Sequence, residues 1–442
     1  MPEGDKRMRV RKKNVQELGL LLLFKALLEV AYVLFLSPNY EYAGFILDPN
    51  SIKFLESYIF LIFLYIFLPS GERKISAIGT KLLFVIIVVP MLSWYALADQ
   101  PRAYLYASVM GFWITLLIIQ IFPRIRIKKP VGLTTPLLVG LGILSIGVYV
   151  ILIKINGLPT LKALDFTKVY EIRHIVKWSP AVMGYLVPWQ ANIINPFLLS
   201  IAWYKRRYVA LLGIIGLQLF LYLITAHKSF LFAPLLVGFV IYAIHRRKLL
   251  KLTLLGLIAG ISGSLAVYAM GWSIIPASLF IRRALFVPAQ LSFYYYDFFS
   301  KHQLMYLAES HLNPFLSTLY DIPIPKLIGQ IYFHSECWAN TCYLADAYMN
   351  FGFLGIFLFS AILGIVFIIL DSIVAKTDIT IAVGATIVPI LSLTNGALFT
   401  TLGTSGLLLG MIIVWLYSQR ESYRAMLTTR LHSTPIVSKG IE

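Results

Sequence analysis

Runs of about 17–22 apolar residues recur along the whole chain, and each, as a helix, is long enough to cross a hydrocarbon core about 30 Å thick. They fall near 18–36, 54–69, 80–98, 104–122, 136–156, 185–204, 208–225, 229–245, 250–270, 352–373, 379–395 and 404–418. Hydrophobic residues make up 59% of the 442, charged residues only 13%, and mean hydropathy is +0.80. No soluble fold hides that much apolar surface. In lipid every backbone polar group needs an internal partner, so the runs are expected to be helices. The expectation is an all-α polytopic membrane protein with about twelve transmembrane helices, residues 1–442 forming a single integral membrane domain.

Lys and Arg number 38 against 20 Asp and Glu. Such an excess on a folded surface would suggest nucleic acid. Here the cations sit in short turns between apolar runs, so they set orientation instead. They concentrate in the amino tail and the even-numbered connections, which places both termini in the cytoplasm. Lys25 and Glu29 interrupt the first run and no small-residue cleavage site follows it, so 18–36 reads as a retained span. Two long connections, 157–184 and 271–351, then form large extracytoplasmic loops, and 419–442 a polar cytoplasmic tail, expected to be a short interfacial helix with a disordered end. Chemistry on the outer face has no nucleotide sugar or ATP, so a transfer reaction there must draw on a membrane-borne activated substrate.

The larger loop holds five of the 20 Asp and Glu, three of the seven His and both cysteines. Arg282 and Arg283 open it, a helix is expected over 281–300, and Pro314, Pro323 and Pro325 break its middle. Adjacent helical positions point about 100° apart, so one of the two arginines faces any given pocket. The plain alternative is contact with lipid headgroups. His302, His311, His334 and Glu336 follow, then Cys337 and Cys342, which form a local disulfide or remain two thiols. The loop closes on Asn340-Thr-Cys-Tyr343-Leu-Ala-Asp346-Ala-Tyr348-Met-Asn350-Phe-Gly352-Phe-Leu-Gly355. Gly352 and Gly355 allow close helix approach. Asp346, just before the membrane and partly desolvated, is suited to act as a general base, with His334 and Glu336 as its competitors. Its plain role is to pair with an outer arginine.

In the smaller loop, Tyr170 shares a helical face with Arg173 or His174, and Lys168 with Glu171. A guanidinium stays charged and offers five donors, so Arg173 suits a phosphate. Thr225-Ala-His227-Lys228-Ser229 is a tight turn into the next helix, where a lysine and free amides together favour an anion. Headgroup anchoring is the alternative for both. No His and carboxylate pair has the spacing of a metal site, and no nucleophile elbow or phosphate-cradling glycine loop occurs. No metal and no cofactor is expected.

The ordered set resembles the oligosaccharide repeat-unit polymerases of the Wzy type, which assemble O-antigen and related surface polysaccharides. It consists of Val169-Tyr170-Glu-Ile-Arg173, His227-Lys228-Ser, Arg282/Arg283, and Asp346-Ala-Tyr348-Met-Asn-Phe-Gly-Phe-Leu-Gly355. The resemblance implies a metal-independent membrane glycosyltransferase of the GT-C kind. Such an enzyme transfers a growing glycan from polyprenyl diphosphate to a hydroxyl of the next lipid-linked unit. Arg173, Lys228 and Arg282 or Arg283 match the cations that hold diphosphate or acidic sugar, with Tyr170 and Tyr348 as further substrate contacts. Asp346 stands where similar proteins often carry Glu, which keeps the carboxylate and shortens it. The implied partners are polyprenyl-diphosphate-linked oligosaccharide, membrane lipids, a chain-length regulator and a flippase, with no nucleic acid. An O-antigen ligase using a loop histidine, or a lipid-linked oligosaccharide flippase, are the rival readings.

Overall fold

A computed structural model describes residues 15–159, 161–165, 169–309, 320–375 and 377–417. Among them the chain is all-helical and contains no strand; a single bridge links Asp48 to Ala98. Among the described residues nine helices are long and apolar enough to cross a membrane. Two other expected spans are shorter, Ser51–Phe67 with 17 residues and Ile379–Ser392 with 14. The run near 185–204 is built in three consecutive pieces, Met183–Trp189, Gln190–Ile194 and Asn195–Tyr204. The amino tail before Val15, Lys168, His311, Pro314 and the tail 419–442 lie outside the described residues.

Four stretches widen from α- to π-helix: Tyr32–Leu36, Phe84–Val88, Gln190–Ile194 and Ser278–Phe286. Each ends two residues before a proline: Pro38, Pro90, Pro196 and Pro288. Proline has no N–H and its ring collides with the carbonyl four residues back. Widening the turn before it relieves that collision. The residue preceding each proline (Ser37, Val89, Asn195, Val287) donates its N–H five residues back, to Tyr32, Phe84, Gln190 and Arg282.

Internal packing divides the chain into two compact units. The first comprises Met1–Pro123, Tyr242–Ile368 and Ile390–Leu402; the second comprises Arg124–Ile241, Ile369–Pro389 and Gly403–Glu442.

In the first unit, Tyr32, Phe45, Trp94 and Phe286 make a buried aromatic knot, with ring centroids 5.1–6.3 Å apart. Lys25 and Glu29 pair on one face of Val15–Ala31, as their four-residue spacing requires, and both are buried. The Tyr58 hydroxyl donates to Glu29 at 2.7 Å, and the Lys25 ammonium sits 3.8 Å over the Tyr58 ring. A charge pair taken out of water survives only with such extra partners. Asn50 caps Ser51–Phe67, its Oδ1 accepting from the amides of Ile52 and Lys53 at 3.1 and 3.2 Å.

In the second unit small residues let backbones touch. Pro389 cannot donate to the Ala385 carbonyl four residues back, and Gly410 packs against that oxygen; a Cβ at 410 would stand 2.2 Å from it. Gly384 lies equally close to Ser200 and the Pro196 carbonyl.

Candidate functional sites, one in each unit

The Tyr343–Val374 helix is broken at Phe351 and Gly352, both in the first unit, where Gly352 adopts φ +60° and ψ −146°. That conformation is open essentially to glycine alone. A Cβ at 352 would meet only Leu304, at 3.7 Å, so this glycine serves the break, not a close helix approach. At Gly355 a Cβ would fall 2.1 Å from the Ala347 carbonyl of the same chain segment. The approach there is of the broken helix to itself.

The break leaves carbonyls of the Tyr343–Asn350 segment without helical donors. Met305 donates to the Met349 carbonyl at 3.0 Å and Tyr306 to the Asn350 carbonyl at 3.2 Å. To reach them the chain turns through positive φ at Tyr306 and Leu307. Asn350 finishes the cap: its Oδ1 accepts from the Leu307 amide at 2.8 Å, and its Nδ2 donates to the Asp346 carbonyl at 2.9 Å.

Asp346 sits on this short segment and is 5% exposed. Its Oδ1 accepts from Asn350 Nδ2 at 3.2 Å and its Oδ2 from the Leu398 amide at 3.3 Å, at the start of the Leu398–Leu402 helix. No ion pair among the described residues includes Asp346. The expected alternative role, neutralising an outer arginine, is therefore not what holds this carboxylate. Two neutral amide donors do, and both hydrogen bonds are long for a carboxylate acceptor. A buried acid held this way keeps lone pairs for a proton.

Tyr348 lies on the same segment, 6% exposed, inside an aromatic cluster with Tyr296 at 4.9 Å, Phe353 at 5.1 Å and Tyr104 at 5.9 Å. Neither competing base hydrogen-bonds Asp346. His334 is exposed at φ +48° where Ile324–Phe333 ends, and Glu336 is exposed, accepting from Gln330 at 2.7 Å. His302 stacks on Phe298 at 4.0 Å with its Nδ1 2.8 Å from the Phe298 carbonyl. The cysteines are unbonded: Cys337 exposed, Cys342 buried.

The two adjacent arginines separate as their 100° offset requires. Arg283 is exposed; Arg282 is half-buried, its guanidinium 4.3 Å over the Tyr40 ring. Arg282 Nε is buried and has no hydrogen-bond partner. Both lie within the π-helical stretch Ser278–Phe286, which ends two residues before Pro288.

Two residues sequence reasoning passed over belong to this region. Asn350 ties Asp346 to the Leu307 turn, a role only the helix break creates. Glu309 accepts from the Ile324 amide at 3.1 Å; the residue is exposed, and partial desolvation of its carboxyl raises it above the usual range against that bond's opposing pull.

In the second unit, the Val169–Ile175 helix carries Arg173 to the turn between Tyr208–Thr225 and Lys228–His245. Arg173 Nε donates to the Ala226 carbonyl at 3.0 Å, and Ala226 turns the chain with φ +51°. His227 lies edge-on to Trp178 at 5.6 Å and stacks on Phe230 at 5.2 Å, its Nδ1 2.8 Å from the Thr225 carbonyl. Burial lowers the imidazole below its ordinary value; the Thr225 carbonyl opposes this and the Arg173 charge adds to it. Lys228 begins the following helix, half-buried. Arg173 and Lys228, far apart in sequence, thus meet at one turn. His227 was legible only as part of the turn. The side chains of Tyr170 and Glu171 lie outside the described residues.

Among the described residues no group of three or more His, Cys, Asp or Glu could hold a metal. No family model, curated protein or solved structure matches the chain.

Proposed function

We propose that the protein is a membrane polysaccharide polymerase that transfers a growing glycan from polyprenyl diphosphate to the next lipid-linked repeat unit. The observation that carries this is Asp346: a buried carboxylate on a broken half-helix, held by two amide donors and paired with no cation among the described residues. Such a group is placed to take a proton, whereas an ion-paired one is not. The half-buried Arg282, with its unpartnered Nε, supports an anion in the same unit, and the Arg173–Lys228 turn supports a second anion position in the other.

In the reaction the acceptor hydroxyl attacks the anomeric carbon of the donor sugar while Asp346 removes its proton. The bond from that carbon to the diphosphate oxygen breaks, and the lipid diphosphate leaves with the electron pair. Arg282, in the unit that holds Asp346, binds the diphosphate, and a fixed guanidinium group neutralises a departing diphosphate without a metal; Arg173 with Lys228 forms a separate position for diphosphate or acidic sugar. A positioned base contributes on the order of 10²–10⁴ in rate. Twelve spans with cytoplasmic termini and outward-facing 157–184 and 271–351 complete the reading, which follows the distribution of Lys and Arg.

The test is chain growth on purified lipid-linked repeat units. Asp346→Asn is nearly isosteric and is expected to retain substrate binding while slowing transfer by on the order of 10²–10⁴. Arg282→Lys keeps the charge, loses the planar fork and is expected to weaken binding. Undiminished polymerisation by Asp346→Asn ends Asp346's role as base. A reporter inserted in 271–351 that reads as cytoplasmic ends the polymerase reading itself.

A further inference from the structure

Two prolines interrupt the hydrogen-bond ladders of helices in the second unit, and each leaves a carbonyl without its helical donor. Pro234, inside Lys228–His245, cannot donate to Phe230 four residues back. At Gln190–Ile194 the Asn195 amide is given to Gln190, and the next residue is Pro196, so the Ala191 carbonyl has no N–H to accept. One side chain closes both. Gln218 Nε2 donates to the Ala191 carbonyl at 2.9 Å and to the Phe230 carbonyl at 2.7 Å.

Gln218 is itself held. Its Oε1 accepts from Asn195 Nδ2 at 2.7 Å, and Asn195 in turn accepts from Gln190 Nε2 at 2.7 Å. All three side chains are 0–1% exposed. Every amide hydrogen of Gln218 is committed, so its orientation is fixed by its partners. A buried network that is fully connected specifies one geometry.

We propose that Gln218 is a positioning residue for the Arg173–His227–Lys228 turn. It sits seven residues, about 10 Å of helix, before the end of Tyr208–Thr225. Its bond to Phe230 fixes the first turn of the following helix, and the Phe230 ring is the one on which His227 stacks. The turn is thus fastened at two points, by Arg173 at Ala226 and by Gln218 at Phe230. Lys228 lies between them. Reading the turn as an anion site rests on the function proposed above; the positioning by Gln218 does not.

Gln218→Leu keeps the volume and removes both donors. In the folded, detergent-purified variant, the rate at which diethyl pyrocarbonate modifies His227, followed by peptide mass spectrometry, is expected to rise about tenfold. His245, at the far end of the same helix, serves as the internal reference. Pro234→Ala returns an N–H to the Phe230 carbonyl, so Gln218→Leu/Pro234→Ala is expected to bring the His227 rate back towards wild type. If Gln218→Leu does not fold, the double variant carries the test: the N–H that Pro234→Ala returns to Phe230 is expected to restore folding, and a double variant that still does not fold while Pro234→Ala alone does overturns the inference. Farnesyl diphosphate, as a soluble prenyl-diphosphate probe, is expected to bind the folded Gln218→Leu variant at least tenfold more weakly than wild type. An unchanged histidine rate in a folded variant overturns the inference; a raised histidine rate with unchanged probe affinity overturns the anion reading of the turn. If wild type itself does not bind the probe, the anion reading of the turn fails, and the histidine rates alone decide the role of Gln218.

Discussion

Replacing Asn350 by leucine isolates what holds Asp346 in place. The leucine fills a similar space but offers no polar atom. The Leu307 amide loses its acceptor at 2.8 Å, and the Asp346 carboxylate loses one of its two donors, leaving the Leu398 amide. Leu307 is half-buried, so water recovers part of its loss and the cost is about 1 kcal/mol. The Asp346 oxygen is buried, and an unmet acceptor there costs about 1–3 kcal/mol. The expected destabilisation is therefore about 2–4 kcal/mol, well above the ~0.5 kcal/mol of an ordinary surface change. Asn350→Asp keeps the acceptor towards Leu307 but turns a donor into a second carboxylate facing Asp346, and should lose at least as much. Equilibrium unfolding of the purified protein in mixed micelles, with a rising fraction of denaturing detergent, measures both. The same substitution on an Asp346→Asn background should show coupling of about 0.5–3 kcal/mol, because the two side chains touch. A loss below about 0.5 kcal/mol for Asn350→Leu, or strict additivity, would show that Asp346 is held by something other than Asn350.

Three further outcomes are expected. Gly410→Ala places a methyl 2.2 Å from the Ala385 carbonyl and should destabilise the protein more than Gly147→Ala, where nothing lies within 4 Å; matched unfolding curves measure the difference. Because the folded chain holds His227 below its ordinary pKa, the unfolded chain binds the proton first as pH falls. Stability from this group is full above about pH 6.5 and declines below it, and His227→Gln should flatten that part of the curve between pH 7.5 and 5.5. A polar maleimide should label Cys337 rapidly and Cys342 only after denaturation; two unreactive thiols released by a reductant would show that they are bridged.

The helices themselves were legible because an apolar run of membrane length has one stable form in lipid. Lys25 and Glu29 could be paired from spacing alone, and the structure pairs them. The offset of Arg282 and Arg283 was equally visible, since adjacent helical residues cannot face the same way. Asp346 was found by its place in the chain, but its partners were not. Asn350 reaches Leu307 only because the helix stops at Gly352, and Leu398 arrives from 52 residues away. Gly352 was misread as a packing glycine because sequence gives no φ; only the backbone tells a break from a close approach. Gln218 was invisible for the same kind of reason. A glutamine in an apolar run has no local partner, and its two acceptors exist only because two prolines elsewhere leave them open.

The π-turns have one more consequence. Each inserts a residue beyond the regular helical count, so the faces before and after it differ by about 100° from what a continuous 3.6-residue wheel predicts. A single helical wheel drawn through Ile75–Leu97 or Met183–Tyr204 therefore mixes two rotational phases. These helices behave as two shorter rods joined at a fixed twist, and the proline two residues on marks where the phase changes. Any alignment of this chain that shifts by one residue just before such a proline carries the downstream faces with it, intact but turned.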